Sequence, residues 1–326
     1  MDNKQTALVM IGRNEAKNLA ISLPAIQGHF NKIIYVDSGS TDNSQELATS
    51  YGADVIELDT EQPFTAARAR NAGLEAVLNS EIDFKYIQFI DGDCELIPKY
   101  IDHALDFMEQ NQEYGMTCGR RVERHPENSI FNTLCDIEWN TPIGDTDYCG
   151  GDVTVRVAAI REIDGYNPDL IAGEDPEVCV RMRQAGWKIY RIDADMTHHD
   201  ANITRISQWW QRNKRAGYAF AEGASLHQHH WVRESRSNWI WGGIFIMIMI
   251  AGLLIHPALL LLILIYPLQA VRLSLKSIPN LEKQAYAIKL LYGMDCYVSK
   301  LPQFIGQVKF LINKLSKRRQ EIIEYK

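Results

Sequence analysis

The segment Tyr86–Pro98, YIQFIDGDCELIP, constrains the fold of this chain more than any other stretch. Its apolar start, Tyr86 to Ile90, has the length and composition of a buried strand. It stops at Asp91-Gly92-Asp93, two carboxylates on either side of a residue without a side chain. At the carboxyl end of a strand in an open α/β sheet, such a pair stands where ligands bind. Two carboxylates this close repel each other unless a cation or hydroxyl groups share them, and hard divalent ions favour oxygen sites of this kind. The bland alternative is a tight turn with solvated acids, because Asp-Gly is common turn chemistry.

The same strand-then-polar pattern recurs upstream. Ala7–Ile11, Ile33–Val36 and Val55–Leu58 read as strands, with helical patterns over Glu15–Ile26, Ser44–Tyr51 and Phe64–Leu78 between them. That order predicts βαβ units with right-handed crossovers and a mostly parallel central sheet, an α/β fold. Asn14, Asp37 and Asp91 then end neighbouring strands and should converge at one edge. From Gly115 to about Trp231 the pattern is mixed, with polar clusters at Cys149–Tyr190 and His198-His199-Asp200.

Trp239–Val271 differs in kind. It contains no Asp, Glu, Lys or Arg and is broken only by His256-Pro257 and Pro267. A stretch of that length predicts a membrane segment rather than a core helix. Arg233 and Arg236 precede it and Arg272 and Lys276 follow, so the expectation is a helical hairpin, transmembrane or re-entrant, with both ends cytoplasmic. A hydrophobic hairpin in a soluble protein is the alternative. Beyond it, Leu281, Ala285, Ile288 and Tyr292 share one helical face, as do Phe304, Val308, Leu311 and Leu315, which suits either the lipid interface or packing on the protein. The expected organisation is a catalytic domain over residues 1–232, the hairpin over 238–272 and a basic amphipathic tail over 273–326.

Charge follows the same division. Residues 272–326 hold 11 Lys and Arg against 4 Asp and Glu, a net of +7; with -7 overall, the first 271 residues carry -14. An acidic body with a basic tail argues for a membrane surface near the tail and against nucleic acid as a partner. The 6 cysteines show no CxxC spacing and read as reduced thiols facing the cytosol. No cleaved secretory signal is expected at the N-terminus.

Five motifs in order resemble the family 2 inverting glycosyltransferases of the GT-A fold, of the membrane-associated bacterial type. They are LVMIGRNEAKNL at Leu8–Leu19, IYVDSGSTD at Ile34–Asp42, ARNAGL at Ala69–Leu74, Asp91-Gly92-Asp93, and Gly150-Gly151-Asp152 with Gly173-Glu174-Asp175. The resemblance spans Thr6–Gly217. It implies a nucleotide diphospho-sugar donor, a divalent Mg²⁺ or Mn²⁺ ion, and a lipid-linked or glycan acceptor in cell-surface polysaccharide or glycolipid synthesis at the cytoplasmic membrane.

The resemblance also implies roles. Asp93 would hold the metal, with His199 favoured over His198 as an added ligand. Asp91 would face the ribose and metal, Asp37 the nucleoside, and Arg70 the base, with Asn14 and Asp152 also in the donor site. Asp175 would be the general base, because inversion needs a group opposite the leaving phosphate to take the acceptor's proton, and burial can bring a carboxylate's pKa towards working pH. Each has a structural alternative: a cap for Asp37, helix N-terminal acids for Glu174-Asp175, and ordinary hydrogen bonding for the histidines. Gln208-Trp209-Trp210-Gln211-Arg212 departs in order and spacing from the family's Gln-x-x-Arg-Trp element. Arg212 is kept as a diphosphate partner, and the tryptophans as packing residues. The rival functions are a sugar nucleotidyltransferase, against which the short acid-ended loop Ile11–Glu15 counts, and a non-catalytic scaffold of the same fold.

Overall fold

The computed structural model describes residues 5–59, 61–276, 281–282 and 284–316. It divides into two compact units, Met1–Ala201 and Asn202–Lys326.

In the first unit, β1 (Thr6–Gly12), β2 (Lys32–Asp37), β3 (Asp54–Glu57) and β4 (Tyr86–Asp91) alternate with α1 (Ala16–Ile26), α2 (Ser44–Ser50) and α3 (Ala66–Leu78). β1 is apolar from Ala7 to Ile11, and β4 is apolar from Tyr86 to Ile90 save the buried Gln88, which accepts from the Thr154 hydroxyl at 2.6 Å; both faces of the sheet are covered, so no alternation is needed. These strands pair in parallel in the order β3-β2-β1-β4. After β4 come β5 (Cys94–Leu96), α4 (Pro98–Gln110), β6 (Tyr114–Glu123), α5 (Ile130–Trp139), β7 (Gly144–Asp145), β8 (Val153–Arg156), α6 (Val157–Glu162), α7 (Glu174–Gln184) and β9 (Lys188–His199). β8 enters antiparallel between β4 and β6, and β9 runs parallel to β6. The sheet is therefore parallel through its first half and mixed through its second.

Register places the expected polar residues together. Gly12 lies beside Asp37 and Ile11 beside Asp91, so the ends of β1, β2 and β4 share one edge. α3 begins at that edge, capped by the Thr65 hydroxyl, which accepts from the Arg68 amide at 3.1 Å.

The second unit is helical: α8 (Ile206–Leu226), α9 (Val232–Ser237), α10 (Phe245–Leu254), α11 (Ile265–Ser274), α12 (Tyr286–Val298) and α13 (Lys300–Ser316). This unit takes in α8 because α8 packs along α13. They cross at glycines: a Cβ on Gly217 or Gly306 would lie 1.9 Å from the Gln303 or Lys214 carbonyl oxygen, respectively. Gln303 donates to Asn213 across this crossing at 3.0 Å. Trp209 is buried and donates to Asp295 at 2.7 Å, a packing role as expected.

Two apolar helical stretches, Val232–Leu254 (23 residues) and Pro257–Ser274 (18 residues), are each long enough to cross a membrane. They break at His256-Pro257, where the sequence placed the turn. The tail helix α13 divides its faces unevenly. The face of α13 that packs inward carries Pro302, Gln303, Gly306, Gln307 and Phe310, whereas Leu315 is 86% exposed and Leu311 is also exposed. Close backbone approach puts glycine and glutamine in the buried face, while the apolar stripe is half-buried at Phe304 and Val308 and opens towards Leu311 and Leu315. Lys317, Arg318 and Arg319 of the basic tail lie outside the described residues.

Candidate active site

The site is organised by two arginines, one buried and one partly buried, and the carboxylates they hold. Arg70, one turn into α3, is 2% exposed. Its Nη2 lies 2.7 Å from Asp91 Oδ1, and its Nη1 lies 3.2 Å from Glu174 Oε1 and 3.0 Å from Asp175 Oδ1. One guanidinium thus ties the end of β4 to the first turn of α7. Burial works against its charge, but Asp175, Asp91 and Glu174 more than restore it, and the group stays cationic. Gly151 makes room for this contact: a Cβ there would stand 2.1 Å from Arg70 Nη2. The resemblance placed Arg70 beside a nucleobase. In the structure its guanidinium is instead buried among carboxylates, and a planar five-donor fork suits that task.

Arg121, on β6, is the second organiser. It reaches Asp91 Oδ2 at 3.3 Å and Asp152 Oδ2 at 2.9 Å. Asp152 also accepts from the Asp91 amide at 3.0 Å and the Thr197 hydroxyl at 2.8 Å. Burial alone would raise the Asp152 pKa, but Arg121 and these two donors pull it below the usual value. Asp152 is thus buried and committed to β4, not open to a donor. The ladder between β6 and β9 shifts register between Arg120 and Arg121, and Arg120 turns instead to Asp136. No motif marks Arg121. Only strand periodicity hinted at it, and the irregular register blurs that.

At the end of β4 the chain turns through Gly92 and pairs β5 antiparallel with β9, setting Cys94 opposite His199 and Glu95 opposite His198. This pairing separates the two histidines. His199 is buried with Nδ1 3.3 Å from Asp93 Oδ1 and 3.3 Å from Cys94 Sγ, and its ring lies 5.1 Å from that of Trp139. His198 is exposed and faces Glu95 at 3.8 Å. Asp93, Cys94 and His199 present ligand atoms close enough for one ion, as do Asp91, Cys94 and Asp152. Carboxylate and imidazole together fit a divalent cation such as Mg²⁺ or Mn²⁺. Cys94 is a donor the sequence analysis did not anticipate; burial pushes its thiol well above the usual value.

Exposure sorts the remaining acids. Asp91, Asp93 and Asp175 keep side-chain exposures of 30%, 19% and 20%. Asp37 is fully buried, and its carboxylate accepts from the amides of Gly39 and Ser40, the Ser40 hydroxyl and Gln45. Asn14, at φ 58°, accepts from the Thr41 amide at 2.8 Å, while its own amide donates to Ser40. Asp37 and Asn14 therefore lock the loops after β2 and β1 together. Asp175 differs from all of these. Burial raises its pKa from 3.8 to about 7, with Glu174 and Asp91 adding to the rise and Arg70 opposing it. Its Oδ1 has no aligned hydrogen bond despite the nearby guanidinium. Arg212 stands on α8, in the second unit.

Residues 8–153, most of the first unit, match the model of the family Glycosyl transferase family 2. This domain belongs to glycosyl transferase family 2. The chain is 25% identical over 188 residues to the O-antigen chain rhamnosyltransferase WbaN of Salmonella anatum, covering 53% of this chain and 58% of that protein. It is 20% identical over 191 residues to the succinoglycan biosynthesis protein ExoA of Rhizobium meliloti, covering 55% and 57%. The chain thus spans less than two thirds of the length of these relatives. A solved mannosyltransferase from Pyrobaculum calidifontis, in complex with GDP-Man and Mn²⁺, superposes with a TM-score of 0.60 at 14% identity, over 95% of this chain and 88% of that one. That likeness gives the family 2 domain its GT-A fold.

Proposed function

We propose that the protein is an inverting glycosyltransferase that moves a sugar from a nucleotide diphospho-sugar to a glycan or lipid-linked acceptor in surface polysaccharide or glycolipid assembly. The observation that carries this reading is the Arg70 bridge. It fixes a half-exposed strand-end carboxylate, Asp91, and a carboxylate of near-neutral pKa, Asp175, at one charge centre. Sugar transfer with inversion needs these two functions side by side, a donor-side anion cluster for a bound cation and an acceptor-side base.

Asp93 and His199 would hold the metal, with Asp91 beside them. When bound, a divalent ion offsets the charge that grows on the diphosphate as the glycosidic bond breaks. Asp175 accepts the proton of the attacking hydroxyl, and it is more open than its neighbour Glu174, which is buried against Arg70. Arg70 and Arg121 fix the carboxylates and touch no reacting atom. Asn14 and Asp37 shape the loops against which the nucleoside rests. The surface-polysaccharide roles named for the two bacterial relatives support this acceptor class.

The apolar arms hold the enzyme at the cytoplasmic face of the cell membrane, where nucleotide sugars are made and Arg233, Arg236, Arg272 and Lys276 flank the hairpin. A panel of nucleotide sugars, assayed for Mn²⁺-dependent nucleotide release with membrane lipid extract as acceptor, tests the reading. One donor should be consumed in the presence of extract. Release from none of them, with the metal present and the protein folded, would count against glycosyl transfer.

A further inference from the structure

We infer that the apolar hairpin enters the bilayer from one side and ends inside it, so that the protein is monotopic and the tip at Leu254–Pro257 never reaches the far surface. The inference rests on the membrane association proposed for this chain and adds depth and topology to it.

The arms are antiparallel and meet along their length. Gly252 packs against Leu259 near the tip, and Phe245 and Trp241 pack against Tyr266 further down. At that lower level the aromatic rings gather. Trp241 contacts Tyr297 at 4.9 Å between centroids, Tyr266 contacts Tyr297, and Trp239 contacts Phe304. Immediately below come polar groups: Lys300 donates to Asn238 at 3.2 Å, and Tyr297 and Arg272 each donate to Gln269 at 3.3 Å. Amphipathic rings followed by charge mark the level where hydrocarbon gives way to headgroups.

Reach is then measured from this belt. From Trp241 to Leu254 an α-helical rise gives at most about 20 Å, because the arm is wound as a π-helix up to Ile244. The second arm begins with the 3₁₀ stretch Pro257–Leu264 and joins α11, so from Pro257 to Tyr266 it gives about 17 Å at the mixed rise. Each whole helical stretch is long enough to span, but counted from the belt the two arms agree to within a few Å and both fall well short of the hydrocarbon thickness of about 30 Å. Tilt would only shorten the reach.

The tip is built to stay dry. Leu253, Leu254 and Ile255 are 71%, 81% and 79% exposed and uncharged, whereas a tip emerging into water on the far side would gain from polar residues. A helix break in hydrocarbon must also satisfy its own backbone. Here Pro257 has no N–H to satisfy, the Ala258 amide donates to His256 Nδ1 at 3.3 Å, and the Leu259 amide donates to the His256 carbonyl. His256, the one polar side chain at the tip, is used as a local cap.

The test uses the full chain in sealed vesicles of both orientations. Single cysteines are introduced as Arg236→Cys, Ile255→Cys and Lys276→Cys and labelled with a membrane-impermeant maleimide, with the parent chain as background. Arg236→Cys and Lys276→Cys should label from the same side. Ile255→Cys should label from neither side until detergent is added. Labelling of Ile255→Cys from the side opposite the base would overturn the inference while leaving membrane association standing. Labelling from the same side as the base would overturn both. Leu254→Lys gives a second readout at a site that no protein packing depends on. It should release at least about ten times more protein on alkaline washing than Leu254→Phe, since a charge deep in hydrocarbon opposes insertion. Equal retention of the two variants would place the tip in water and refute the depth assigned here.

Discussion

The rate of transfer should follow the ionisation of Asp175. The structure raises this carboxyl from 3.8 to about 7, chiefly by burial, with Glu174 and Asp91 reinforcing the shift and Arg70 opposing it. A general base works only when ionised, so activity should rise with pH and level off above 7. With a pKa near 7, roughly a tenth of the enzyme is active at pH 6 and roughly nine tenths at pH 8, a change of about tenfold across that window. The profile of kcat/KM is the one to measure, because it reports the free enzyme. Asp175→Asn keeps the shape and removes the base. It should lower kcat at least about a hundredfold, leave donor affinity nearly unchanged and abolish the acid limb. The same shift acts on stability. The folded state holds this proton more tightly than the unfolded chain, so the contribution to stability is full below about pH 4, declines towards pH 7 and is constant above it. Asp175→Asn should flatten that decline in urea unfolding. An acid limb of unchanged midpoint in Asp175→Asn, or equal loss of donor binding and turnover, would show that Asp175 is not the base.

Three further outcomes are expected. Asp93→Ala should abolish the Mn²⁺ dependence of donor binding in calorimetric titration, and a mutant with unchanged metal dependence would remove Asp93 from the metal site. Arg121→Leu leaves the buried Asp152 without its cation and should cost about 3–5 kcal/mol in urea unfolding, whereas loss of an ornamental surface pair would cost under about 1 kcal/mol. Gly151→Ala places a methyl group against Arg70 and should cost about 1–3 kcal/mol; a fully active and equally stable variant would show that the Arg70 bridge tolerates displacement.

Much of this protein was legible in its sequence where the signal is local. Largely apolar runs such as Ala7–Ile11 and Tyr86–Ile90 specify buried parallel strands, because a strand covered on both faces has no reason to alternate. The acids that follow them land at one sheet edge for a topological reason, since strands joined by right-handed crossovers all end on the same side. The uncharged length of Trp239–Val271 and its break at His256-Pro257 likewise mark two apolar arms. What the sequence could not decide depends on partners distant along the chain. Nothing near Arg121 announces that it joins Asp91 to Asp152, because the contact needs β8 inserted between β4 and β6 and an irregular ladder to re-aim the side chain. That His199 lies buried beside Asp93 while His198 is exposed follows from the pairing of β5 with β9, a register that no local pattern specifies. Arg70 read as a nucleotide contact and became a buried clamp because α3 and α7 start at the same edge and bring three carboxylates to one guanidinium. The two readings open for the apolar stripe of α13 could not be separated locally for the same kind of reason: burial there follows how closely two backbones approach at Gly217 and Gly306, which apolar periodicity does not record.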